Sequence, residues 1–183
     1  MVKKEIIVIG TLHSSWTQHD ELITLLEEYD PDKLLVELSP EELSEERRKT
    51  SIRDEMFAAY DWAREKGVPV DVFDEENDVL REGVTGKELM FKEYEQQSRR
   101  ILKGYSWKKL NQDEPWNTPE LKELDEKMNR YYVDPKKSKK REKQLIENIR
   151  SLSYRGRNVV LVGVGHLATL ENQLVDAQFP LRK

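Results

Sequence analysis

The sequence predicts an α/β fold with a mostly parallel central sheet of four to five strands flanked by helices, all in one domain spanning residues 1–183. Short apolar runs of β-forming residues recur at "EIIVI" (5–9), "KLLVEL" (33–38), "VPVDVF" (68–73) and "NVVLVG" (158–163). The first, second and fourth are almost unbroken by polar residues, as strands are when helices cover both faces of a parallel sheet. Helical patterns separate the first three runs, which makes a βαβαβ unit with right-handed crossovers.

After the first strand, "HDELITLLEEY" places Leu22, Leu25, Leu26 and Tyr29 on one helical stripe. Thr17 is the expected N-cap, and Pro31 stops the helix. After the second strand, Ser39, Pro40 and Glu42 form a capping box with proline at the first helical position. A further helix, "DEMFAAYDWAREKG", sets Met56, Phe57, Tyr60 and Ala63 on one face and ends at Gly67. Residues from about 78 to 152 break the alternation and read as a helical excursion before the last core strand. Its helices are expected around 86–103, from Thr118 and Pro119 to Tyr132, and from Ser138 to Leu152.

Charged residues make up 37% of the chain, so its surface is strongly solvated, and Lys and Glu abundance suits surface ion pairs of a heat-tolerant protein. A net charge of -5 argues against nucleic acid as the main partner, because phosphate binding needs a basic face. The basic stretch "DPKKSKKREK" (134–143) reads as a solvated helix start. Without cysteine there is neither a thiolate ligand nor a thiol nucleophile, which fits a reducing compartment. Neither a signal peptide nor a membrane span of roughly 18 apolar residues is recognisable, so the expected location is the cytoplasm, without membrane association. The partner would be a peptide or small molecule, and a homodimer fits the usual symmetry of soluble proteins.

Ligands of open parallel sheets bind beyond the carboxyl ends of the strands. Here those ends deliver Gly10, Thr11 and His13 from the first strand and Glu37 from the second. The third brings Asp71 or Asp74, and the fourth Gly163, Gly165 and His166. Two imidazoles and two carboxylates from separate strand ends suit either a divalent metal that acidifies water or direct acid–base catalysis. Both His13 and His166 follow a glycine in Gly-x-x-His directly after an apolar strand. Glycine there permits a sharp turn or a close backbone approach. His19 is expected on the surface. The aromatic residues Tyr105, Trp107, Trp116, Tyr131 and Tyr132 either roof the cleft or serve as core and dimer contacts.

The segments "VIGTLHSS", "PDKLLVELSPEEL" and "VVLVGVGHL" resemble the three landmarks of the TraB/PrgY/GumN/Tiki group, related to the erythromycin-esterase and ChaN-like proteins. "VFDEENDVLR" and "KREKQLIENI" are similar to its intermediate segments and nominate Asp74, Arg81 and Arg141. The resemblance implies a metal-dependent, peptidase-like hydrolase with His13, Glu37, Asp74 and His166 around manganese, cobalt or zinc. It also implies catalytic roles for His13, Glu37, His166 and Arg141, with Arg81, Gly10, Gly163 and Gly165 lining the substrate. Two alternatives stay open: a metal-free hydrolase with a histidine base, and a non-catalytic module that sequesters a peptide or metal. Ala168 and Thr169 after "GHL" depart from the group, which commonly has a glycine there.

Overall fold

The computed structural model describes residues 3–12, 19–50, 53–75, 79–112 and 114–182. Four strands, β1 (Lys4–Thr11), β2 (Lys33–Val36), β3 (Val70–Val72) and β4 (Gly156–Gly163), form one sheet in the order β1-β4-β2-β3. All the pairings are parallel. The chain therefore has the expected α/β architecture, with the last strand threaded between the first two.

Helix α1 (His19–Tyr29) and helix α3 (Asp54–Lys66) carry the chain forward from β1 to β2 and from β2 to β3. They share a core with Ile7, Ile9, Leu34, Val36, Val159 and Leu161. The return from β3 to β4 runs through helix α7 (Pro135–Leu152), which packs with α8 (Leu167–Gln173) on Ile6, Val8, Leu35, Val160 and Val162. Right-handed crossovers require this change of face when the direction along the sheet reverses. The strict alternation of strand residues between the two cores also explains the unbroken apolar runs, since both faces are covered.

Local chemistry sets the element ends. The Ser39 backbone N–H donates to Glu42 Oε2 at 2.8 Å, and the Glu42 N–H donates to Ser39 Oγ at 3.3 Å, the reciprocal pair of a capping box. This box opens a single 3₁₀ turn (Glu41–Leu43), followed by the short helix α2 (Glu45–Thr50). Gly67 ends α3 in the left-handed conformation at φ 72°. The N-cap expected at Thr17 lies outside the described residues.

Within the excursion, α4 (Lys87–Leu102) and α6 (Pro119–Tyr131) match the expected helices, and Thr118 caps α6 through its side chain. A further short helix, α5 (Trp107–Leu110), lies between them. Helix α7 starts three residues ahead of its expected Ser138, because Asp134 accepts the Lys136 and Lys137 N–H groups and Pro135 occupies the first turn. Leu102, Leu110, Leu121 and Leu124 form a small core of their own against Leu12. Its neck is closed where Leu80 and Val133 pair antiparallel, with Arg81 N–H donating to Tyr132 O and Asp134 N–H to Val79 O.

The exposed edge of β1 is covered by the C-terminal segment: Val8 N–H donates to Gln178 O and Gln178 N–H to Ile6 O, both at 2.8 Å. Among the described residues no helix is long and apolar enough to cross a membrane.

Candidate functional site

Glu37 follows Val36 on β2 and, by strand alternation, turns to the face carrying α7. Its side chain is almost sealed from solvent, at 1% exposure. Oε2 accepts the Gly163 backbone N–H at 2.6 Å, which ties the end of β2 to the end of β4. Oε1 accepts Arg141 Nη2 at 2.7 Å and faces His166 Nε2 at 3.4 Å. A buried carboxylate needs such partners to remain ionised.

Arg141 enters from α7 and joins Glu37 to Asp74. Its Nη2 donates to Asp74 Oδ2 at 2.6 Å and its Nε to Asp74 Oδ1 at 3.2 Å. Burial pulls the guanidinium down, but Asp74 and Glu37 more than offset this and hold it above its ordinary value. Arg53, immediately ahead of α3, adds a second guanidinium: Nη1 donates to the Glu37 carbonyl oxygen at 2.7 Å and lies 3.7 Å from Asp74 Oδ2.

His166 lies in the 3₁₀ turn Val164–His166, directly after β4. Its Nδ1 meets Glu142 Oε1, from the residue after Arg141, while its Nε2 faces Glu37. The second Glu142 oxygen, Oε2, is buried with no hydrogen-bond partner among the described residues. Burial lowers the imidazole's proton affinity, yet the charge of Glu37 and the bond to Glu142 outweigh it and push the pKa up to about 9.

The structure thus gathers Glu37, Asp74, Arg141, Gly163 and His166, five residues named from the sequence, into one cluster at the carboxyl end of the sheet. His13 lies outside the described residues. Arg81 is not among the residues brought together: it is exposed at the neck of the excursion. Gly165 lines a neighbouring cavity. Gly10 is buried, and the Asn111 side chain takes both of its backbone polar groups: Gly10 N–H donates to Oδ1 at 2.6 Å and Nδ2 donates to Gly10 O at 3.0 Å.

Sequence reasoning missed Arg53, Asn111 and Glu142. Glu142 had a usable signal, since it is the carboxylate next to Arg141 on a helix already expected near the site; in the structure it lines a cavity with Ser138 and Thr169. Asn111 had none, because it acts on Gly10 across 101 residues, and Arg53 had none, because a lone arginine ahead of a helix carries no spacing that marks it. His19 differs from expectation: it is half-buried, and its Nε2 is enclosed without a hydrogen-bond partner among the described residues. Trp107 is a core residue packed with α1, and its backbone N–H donates to Glu21 Oε1 at 3.1 Å, whereas Tyr105 and Tyr131 are exposed.

A divalent ion needs several oxygen and nitrogen donors directed at a common point. Glu37 Oε1 and Asp74 Oδ2 instead converge on Arg141 Nη2. Among the described residues no three His, Asp or Glu side chains are arranged to hold a metal ion. Among the described residues a guanidinium thus supplies the positive charge between the two carboxylates, while His13, the fourth ligand the resemblance implies, lies outside them. In comparisons with known proteins, the chain matches no family model, no curated protein and no solved structure.

Proposed function

We propose that this chain is a hydrolase that works by histidine acid–base chemistry on an ester or amide of a short peptide or small molecule. The observation that carries this reading is the bracketing of His166 by Glu142 at Nδ1 and Glu37 at Nε2, with Arg141 between Glu37 and Asp74.

A carboxylate on Nδ1 orients an imidazole and stabilises the cation formed when Nε2 accepts a proton. In the proposed reaction neutral His166 takes a proton from water at Nε2 as the water oxygen bonds to the substrate carbonyl carbon. The imidazolium then returns that proton to the leaving oxygen or nitrogen as its bond to carbon breaks, so the imidazole ends neutral. Glu37 and Glu142 stabilise the intermediate cation. Arg141 bridges Glu37 and Asp74, with Arg53 beside Asp74, which keeps two buried carboxylates close together. The likeness of the β1, β2 and β4 ends to the TraB/PrgY/GumN/Tiki landmarks supports a hydrolytic role and leaves the substrate open.

The test is hydrolysis of chromogenic esters and short chromogenic peptides, with and without chelator, by the native chain and by His166→Gln. Expected is turnover that survives chelation, is lost in His166→Gln and rises with pH toward about 9 in kcat/KM. Stoichiometric manganese, cobalt or zinc that is lost in Glu37→Gln, with chelation ending turnover, would overturn the metal-free reading. Tight binding of a peptide without any hydrolysis would overturn catalysis and leave a sequestering module.

A further inference from the structure

A cavity of about 250 Å³ lies between the excursion and the turn that carries His166. Tyr94 of α4, Asp125 of α6 and Trp116 line one side; Val164, Gly165, Leu167 and Ala168 line the other, and Arg182 lines it too. Gly165 immediately precedes His166, so an occupant of this cavity borders the turn that carries the proposed catalytic imidazole.

Three features give the cavity a definite chemical preference. First, the Tyr94 hydroxyl donates to Asp125 Oδ1 at 2.9 Å, which fixes the carboxyl group and occupies only one of its oxygens. Among the described residues Oδ2 accepts no hydrogen bond, and no lysine, arginine or histidine forms an ion pair with Asp125. Second, the Trp116 indole N–H donates to Leu110 O at 2.7 Å, so the ring is held as a wall by its edge. Third, Arg182, the cation lining the same cavity, directs Nε to Glu171 Oε2 at 3.0 Å. A half-buried carboxylate with one open oxygen, an aromatic wall and aliphatic neighbours suit an ammonium or guanidinium on an apolar stem.

We propose that this cavity is a recognition pocket for a cationic amine or guanidinium group, with Asp125 as the charge partner and Trp116 as the wall. Its use as a substrate pocket rests on the hydrolase reading, whereas cation binding does not. Burial raises the Asp125 carboxyl above its ordinary value, and a bound cation would reverse that shift. Tyr94 serves as a positioning residue that aims the carboxyl.

Benzylammonium, benzoate and benzyl alcohol are suitable probes, titrated into the nitrogen-15-labelled chain while the Trp116 indole N–H resonance is followed. Trp116→Phe assigns that resonance. A saturable shift with benzylammonium, at least tenfold weaker with benzyl alcohol and at least tenfold weaker in Asp125→Asn, is the expected result. Tyr94→Phe frees the second carboxylate oxygen and should retain the preference for the cation, which separates loss of charge from general damage to the pocket. Equal binding of benzylammonium and benzyl alcohol, stronger binding of benzoate, or no saturable shift in the folded native chain would each overturn the proposal. His166→Gln should leave benzylammonium binding unchanged while ending turnover, so failure of the pocket and failure of the hydrolase reading are distinguishable.

Discussion

Arg141 and Glu37 are 104 residues apart in sequence, yet Nη2 of one lies 2.7 Å from Oε1 of the other. The bond joins the long return helix to the centre of the sheet, and it is shared with Asp74 at 2.6 Å. Removing one partner of a buried ion pair leaves the other charge uncompensated, at a cost of about 3–5 kcal/mol. Arg141→Met should therefore destabilise the fold by about 3 kcal/mol or more in urea unfolding. Pairing it with Glu37→Gln should restore a measurable part of the loss. A single-variant effect below about 1 kcal/mol would match an exposed pair and sink the idea of a buried linchpin.

The pH dependence of stability follows from His166. Its folded-state pKa is raised from 6.5 to about 9, so the protonated form is favoured by folding. The resulting stabilisation is fully present below about 6.5 and is lost as pH rises through about 9. The native chain should thus lose more stability than His166→Gln between these limits, when urea midpoints of the two are compared at each pH. Glu142→Gln should move the imidazole midpoint, read by NMR, down toward the ordinary histidine value. A native midpoint already near 6.5 would contradict the bracketing of the ring by two carboxylates.

Strands β1, β2 and β4 were legible in the sequence because Ile6 through Ile9, Leu34 through Val36 and Val159 through Val162 meet apolar neighbours on both faces. Helix α6 was legible because Thr118 and Pro119 carry a local start signal. Glu37 and His166 stood out as polar groups at the ends of such strands. What could not be read is how the ends connect. The place of β4 between β1 and β2 is set by crossover geometry over the whole chain, and the Arg141 bridge depends on where α7 docks. Asp134 and Pro135 carry the same kind of local start signal for α7, set at the head of a lysine run whose charge marks only the solvated face.

Asn111 attaches the excursion to the sheet. Its side chain is 1% exposed and bonds Gly10 N–H, Gly10 O and Trp107 O, as a neighbouring strand would. Asn111→Leu strands buried backbone groups, each costing about 1–3 kcal/mol when unsatisfied. Amide exchange at Gly10 should accelerate more than at Val8, whose N–H is held by Gln178 O at 2.8 Å. Equal protection of Gly10 in the variant would mean that the clamp is dispensable.

Gly10 also explains how β1 communicates with the His166 turn. A methyl group there would stand 2.7 Å from Leu167 Cδ1, 2.8 Å from Val164 Cγ1 and 3.1 Å from Asn111 Oδ1. Val164 and Leu167 flank Gly165 and His166, so Gly10→Ala forces these side chains to shift and presses on the turn that presents the imidazole. Overpacking of this kind costs about 1–3 kcal/mol, and any displacement of Nε2 should lower the turnover proposed for His166. Gly165→Ala supplies the control within the turn: its added methyl meets nothing within 4 Å, so its stability should stay within about 0.5 kcal/mol of the native chain. The decisive measurement is the His166 ring resonance in both variants. Displacement in Gly10→Ala alone places the steric contact of β1 behind the position of the imidazole, whereas an unchanged resonance there would show that Leu167 and Val164 absorb the methyl without moving the site.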